Sequence, residues 1–271
     1  LAIAASKTLG QPVVVDNRPG AGGTLAAATL AQSGSSDGYT IAVAPATLFK
    51  VPHMQKVPYD PMKQLSYLMG FSAYTFALVV PAASPWTTLA EFTAHAKANP
   101  DKISVGTTGL GSSGHMAIAT LAQQAGIALN VVPFKGGAEV LQAFVGGHIN
   151  AALDGGWAQI ERQAKGRVLA AFTDKRLARL PNVPTARELG IDMVAASPIG
   201  LVAPRNIDPQ AAATLHDAFK AALADPSYLQ NLETFDLENA YLSGAEYFQL
   251  ASRLWVEERR YLQALGLLAQ P

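Results

Sequence analysis

The stretch ISVGTTGLGSSGH, residues 103–115, opens as a short apolar strand, breaks into glycines and hydroxyls, and continues into an apolar-periodic helix. A strand that ends in such a loop presents backbone N–H groups at a helix N-terminus, a setting that suits an anion. Its surroundings agree. Between Asp101 and Glu139 there is no acidic side chain, and the only basic or titrating ones are Lys102, His115 and Lys135. A carboxylate or phosphate would meet no like charge there, although a glycine-rich turn that only connects strand to helix has the same composition.

Working outward, the pattern alternates short β-rich runs with helical periodicity, which predicts α/β layering with a largely parallel sheet. Strands are expected at residues 12–15, 40–44, 67–71, 76–80, 103–106, 129–132, 149–153, 168–172 and 199–202. Helices are expected at residues 1–9, 24–32, 89–98, 113–125, 138–145 and 157–165. Helix 113–125 places Ile118, Leu121, Ala122 and Ala125 on one face, and Gly126 supplies a left-handed stop. Asp208-Pro209 reads as an N-cap with a first-turn proline, and Ser243 with Glu246 reads as a capping box that starts a long final helix.

Two strands resemble each other, Phe76-Ala-Leu-Val-Val-Pro81 and Ile199-Gly-Leu-Val-Ala-Pro204. A chain that leaves one lobe through the first and returns through the second forms two lobes joined by a two-strand hinge. Lobe I is then residues 1–78 and 201–271, and lobe II residues 79–200. The cleft between such lobes is the default ligand site.

Composition narrows the function. The 271 residues are 49% hydrophobic and 15% charged, with 20 basic and 20 acidic side chains, so the formal net charge is zero. That leaves no electrostatic footprint for nucleic acid or an anionic membrane. No apolar run approaches the roughly 20 residues that span a bilayer. Cysteine is absent, which excludes disulfides and thiolate chemistry. The five histidines, His53, His95, His115, His148 and His216, are scattered without metal-ligand spacing.

Catalytic and nucleotide motifs fit poorly. Gly34-Ser-Ser-Asp-Gly38 matches an esterase elbow, but it runs from helix to strand where the elbow needs strand then helix. Gly20-Ala-Gly-Gly23 places Leu25 where a dinucleotide fingerprint needs its third glycine. A Ser113, His115 and Asp154 triad is the hydrolase alternative. Four loops follow strand C-termini, where ligands gather in open α/β sheets. They are the loop at Thr107, Thr108, Ser112 and Ser113; Phe134-Lys-Gly-Gly137; Asp154-Gly-Gly156, beside which Trp157 can pack on a ligand ring; and Ala44-Pro-Ala-Thr47.

In order along the chain stand Gln11-Pro-Val-Val-Val-Asp-Asn-Arg-Pro-Gly-Ala-Gly-Gly23, Asp37-Gly-Tyr-Thr40, Val57-Pro-Tyr-Asp-Pro61, Gly106-Thr-Thr-Gly-Leu-Gly-Ser-Ser-Gly-His115, Val132-Pro-Phe-Lys-Gly-Gly137, Leu180-Pro-Asn-Val-Pro-Thr185 and Gly200-Leu-Val-Ala-Pro204. Together they resemble the Bug family, the solute receptors of tripartite tricarboxylate transporters, over the whole chain. The resemblance implies a type II periplasmic-binding-protein fold, two α/β lobes that close on a small carboxylate, and delivery to the membrane components of the transporter. It implies that Thr107, Thr108, Gly109, Ser112 and Ser113 hold a ligand carboxylate, with Asp154, Ser197, Ala46 and Thr47 at matching family positions. Family members begin with a strand and a Pro-Gly-Gly loop that forms the other jaw. This sequence starts in the following helix, so that strand's neighbours are expected to expose unpaired edges.

The resulting expectation is a periplasmic receptor for a mono- or dicarboxylate, aromatic if Trp157 stacks on it. It is not an enzyme, and it has no cofactor, metal or nucleic-acid partner. Arg18, Arg162 and Arg205 are too dispersed to form a tricarboxylate cluster. The alternatives are the hydrolase above and an effector-binding domain of a transcription regulator.

Overall fold

A computed structural model describes residues 1–18, 20–33, 36–195 and 197–269. Pro19 of the expected turn at 17–23, and Gly34 and Ser35 of the esterase-like stretch, lie outside the described residues. The chain divides into two compact units, Leu1–Ala73 with Ser197–Pro271, and Tyr74–Ala196. The switches expected after residues 78 and 200 thus come a few residues earlier.

The first unit begins with α1 (Ala2–Leu9), α2 (Leu25–Gln32), β1 (Ala42–Pro45), α3 (Thr47–Met54), α4 (Pro61–Gln64) and β2 (Leu65–Tyr74). The second unit follows with β3 (Ala77–Pro81), α5 (Leu89–Ala98), β4 (Ser104–Thr108), α6 (Ser113–Ala125), β5 (Asn130–Phe134), α7 (Gly137–Val145), β6 (Ala151–Asp154), α8 (Trp157–Gln163) and β7 (Gly166–Ala171). The chain then completes the first unit with β8 (Ser197–Pro204), α9 (Pro209–Ala222), α10 (Pro226–Phe235), β9 (Glu238–Ser243) and α11 (Gly244–Ala264).

The first unit's sheet has the order β1-β8-β2-β9. Side chains alternate across β8, as a pleat requires. Val202 joins Ala42, Ala44, Leu30, Phe49 and Tyr247 on one face, while Leu201 and Ala203 join Ala4, Ala5, Phe219 and Tyr228 on the other. Helices therefore cover both faces. Pairing is antiparallel for β1 with β8 and for β2 with β9.

The second unit's sheet has the order β5-β4-β6-β3-β7. Here β4 is parallel to β5 and β6, whereas β3 is antiparallel to β6 and β7. The expected largely parallel sheet is corrected to mixed, because alternation of strands and helices along the sequence does not decide the end from which a strand enters its sheet. Strand β3 is buried along all but its last residue and β8 throughout, and the likeness between them follows from these interior positions.

Residues 12–15 do not form the expected strand. Val14 and Val15 are 84% and 65% exposed. A groove of about 840 Å³ is lined by Pro12, Val13 and Val14, by Thr40, Ile41 and Ala42, and by side chains of α2 and α9. No ladder crosses it among the described residues. The run instead stays extended without a ladder: the Val13 amide donates to Ser6 Oγ at 2.8 Å, and the exposed Val14 and Val15 face solvent.

Candidate functional site

Strand β4 ends at Thr108, and the chain then passes through Gly109 and Gly111, whose φ angles of 74° and 75° lie in the left-handed region that glycine enters without a Cβ penalty. Ser112 is the N-cap of α6, its Oγ accepting from the His115 amide at 3.0 Å; Ser113 is the first helical residue. The amide of Gly111 donates to His115 Nδ1 at 3.0 Å. Among the described residues, the amides of Gly109, Leu110 and Gly114 have no protein acceptor. These donors stand at the positive end of a 13-residue helix, a suitable place for a carboxylate.

Asp154 braces this loop. Its carboxylate is almost fully buried and accepts from the Thr108 amide at 2.8 Å and from the Gly156 amide at 2.9 Å. One side chain thereby ties the end of β4 to the turn after β6. Both oxygens are engaged within the protein, so Asp154 acts as a positioning residue. Thr107 is fully buried, with its hydroxyl 3.4 Å from Ser112 Oγ and against the Cα of Gly114. It packs β4 against α6 and does not line the loop surface.

Trp157 requires a correction. It is fully buried in the second unit's core with Val79, Phe144 and Ile160. Its indole N–H donates to Thr75 Oγ1 at 2.9 Å, and the Arg179 guanidinium lies 5.0 Å from the ring centroid. The expected stacking of Trp157 on an aromatic ligand ring therefore has no exposed face to use.

The hydrolase arrangement also fails. A triad needs a histidine whose ring N–H faces the aspartate, but His115 Nδ1 accepts a hydrogen bond from the Gly111 amide while Asp154 is held by two backbone amides. Burial holds His115 below its usual 6.5, and accepting a hydrogen bond likewise requires the neutral ring. In the unfolded chain the ring takes up its proton near 6.5, so this stabilisation is complete above that pH and is lost as pH falls through the folded value. Thermal stability of the wild type is expected to drop between pH 7.5 and 5.5 more steeply than that of His115→Asn, whose side-chain oxygen accepts without titrating. Parallel pH profiles for the two proteins would contradict this role of the neutral His115 ring.

Ala46, Thr47 and Ser197 all belong to the first unit and are nearly fully buried. Thr47 Oγ1 donates to the Gly22 carbonyl at 2.7 Å, which joins the start of α3 to the glycine turn at Ala21–Gly23. Ser197 is the first residue of β8. The second unit brings together Thr107, Thr108, Gly109, Ser112, Ser113 and Asp154. Sequence reasoning missed Leu110, 58% exposed on the loop, and Tyr74, whose ring lies on Gly155. Only the distance between Tyr74 and Gly155 in sequence hid that contact.

Among the described residues, no group of three His, Asp or Glu side chains could hold a metal ion, and no helix is long and apolar enough to cross a membrane. The model for tripartite tricarboxylate transporter family receptors matches residues 1–267. The chain belongs to this family. This receptor is 43% identical over 268 residues to a Cupriavidus necator protein described as "UPF0065 protein in gbd 5'region", covering 98% of this chain and 82% of that one. It is 30% identical to BugT of Bordetella pertussis, covering 82% and 70%. Solved structures that superpose on the receptor include the periplasmic binding protein BugD, with a TM-score of 0.91, 24% identity and 99% and 92% of the two chains covered. Rpa4515 of R. palustris with adipate superposes with a TM-score of 0.90, 25% identity and coverage of 98% and 90%. MatC of Rhodopseudomonas palustris with bound malate gives 0.86, 26%, and 96% and 91%. The receptor thus has the two-lobe α/β fold of type II periplasmic binding proteins and is a Bug-family protein. At the level of the family it is a receptor and not an enzyme.

Proposed function

We propose that this protein is a periplasmic receptor that captures a small mono- or dicarboxylate and delivers it to the membrane components of a tripartite tricarboxylate transporter. The observation that carries the reading is the loop after β4, where the amides of Gly109, Leu110 and Gly114 stand without a protein acceptor at the start of α6, while the adjoining Asp154 carboxylate is already held by the Thr108 and Gly156 amides. Neutral donors hold a carboxylate by charge-assisted hydrogen bonds without a salt bridge. Structural neighbours that carry adipate and malate support this ligand class. A tricarboxylate is disfavoured, because Arg18 pairs with Asp16 and Arg205 donates to the Lys63 carbonyl, while Arg162 lies on α8.

The test is a thermal-shift screen of the full-length protein against mono-, di- and tricarboxylates. Ligand at 100 times its dissociation constant stabilises by about 2.7 kcal/mol, so a mono- or dicarboxylate is expected to raise the melting temperature clearly. Absence of a shift with every acid would remove the proposal.

A further inference from the structure

The donor loop carries a side chain that anion binding does not need. Leu110 stands between Gly109 and Gly111, both in the left-handed region, and is 58% exposed. The two glycines let the chain turn on either side of it, which presents an isobutyl group to water beside the unpaired amides of Gly109 and Gly114. A polar residue would serve a plain turn at this position equally well.

The turn that braces the loop carries a second apolar surface. Tyr74, 40% exposed, lies so close to Gly155 that a Cβ there would sit 2.9 Å from its Cδ1 and 3.1 Å from its Cγ. Gly155 adjoins Asp154, whose carboxylate holds the Thr108 amide at 2.8 Å. Leu110 thus belongs to the loop that Asp154 holds, and Tyr74 lies on the turn that carries Asp154. Along the loop's own stretch of chain, from Asp101 to Glu139, the only basic or titrating side chains are Lys102, His115 and Lys135, and His115 is occupied as a neutral acceptor. This stretch itself offers a second charged group on the ligand few partners.

We infer that this loop selects carboxylates whose chain next to the carboxyl group is apolar, with Leu110 as the specificity-determining contact and Tyr74 as a second apolar group on the turn that carries Asp154. The inference rests on the receptor reading above and adds the substrate class. Ligand desolvation supplies the discrimination, since each methylene removed from water against these side chains tightens binding by about fourfold, whereas a hydroxyl at the same place loses its water without gaining a partner.

The experiment is calorimetric titration of the full-length protein with propionate, butyrate, valerate and hexanoate, and with malate against carbon-matched butyrate. In the wild type, affinity is expected to rise about fourfold per methylene over the first steps and butyrate to bind more tightly than malate. In Leu110→Ser the rise should fall below about twofold per methylene while carboxylate binding persists through the amide donors; Leu110→Met, which keeps the volume, should retain the wild-type series. Binding of the acids with a flat series, an unchanged series in Leu110→Ser, or preference for malate would overturn this inference and leave the receptor reading standing. No binding of any carboxylate would overturn the receptor reading itself, and this inference with it.

Discussion

Alanine at position 114 is expected to destabilise the unit spanning Tyr74–Ala196 by about 2 kcal/mol and to weaken carboxylate binding in proportion to the displacement of α6. Gly114 is the second residue of that helix. A Cβ there would run into Thr107 Oγ1 and come within 2.5 Å of the Leu153 carbonyl oxygen. Neither neighbour can give way: Thr107 is fully buried, and Leu153 lies in β6, where it is opposite Leu78 of β3. The intrinsic helix preference for alanine over glycine, about 1 kcal/mol, opposes the clash but is smaller, and it counts for less in a first turn. Urea denaturation checks the result, with Gly136→Ala as control. Gly136 has extended backbone with φ of −166° and open space around it, so that variant should stay within about 0.5 kcal/mol of wild type. Equal midpoints for Gly114→Ala and wild type would show that β4, β6 and α6 are not packed as described.

Removal of the Asp154 carboxylate is expected to cost about 3 kcal/mol, since it accepts two backbone amides and hydrogen bonds to a charged group contribute about 1.5–3 kcal/mol each. The upper end of the sum is not expected, because the freed Thr108 and Gly156 amides are only partly buried and regain some water. Asp154→Ala should also lower carboxylate affinity by at least tenfold, because the loop no longer holds its donors in place before the ligand arrives and must order them on binding. Asp154→Asn keeps one good acceptor and should fall between the two. Denaturant midpoints and ligand titrations on the same samples separate the possible roles. A residue that touches the ligand alone would change affinity and leave stability untouched; a brace changes both, with stability lost even in the absence of ligand. Wild-type stability in Asp154→Ala would refute the positioning role.

Much of the architecture was legible where the signal is local. The Asp208-Pro209 start of α9, the Ser243 and Glu246 capping box of α11 and the left-handed stop at Gly126 all occur as the spacing predicts. Elements that escaped reading had weak or conflicting signals. Helix α3 contains Pro52 in the middle of TLFKVPHM, and it persists because Leu48 and Phe49 are buried without exposure. Strand β9, ENAYLS, is largely polar and exists because β2 offers it an edge. Helix α10 begins with Asp225-Pro226, the same cap seen at α9, so that signal was present in the sequence.

The candidate site divides in the same way. A strand that breaks into glycines and a capping serine could be read directly, because a cap involves neighbours three residues apart and a left-handed turn concerns one residue at a time. The assignment of each hydroxyl and ring could not. Thr107 and Thr108 are adjacent, yet one is sealed against α6 and the other gives its amide to Asp154, 46 residues away.

The sequence by itself determined where helices start and stop, where glycine permits the donor loop, and that no acidic side chain lies near that loop in the chain. Tertiary structure alone decided that β3 enters its sheet antiparallel, that residues 12–15 find no strand partner among the described residues, that Trp157 goes to the core and that Asp154 braces the loop. The reason is range: caps and turns are set by backbone geometry within a few residues, whereas burial and strand direction depend on partners that the fold, not the local chain, brings within hydrogen-bonding distance.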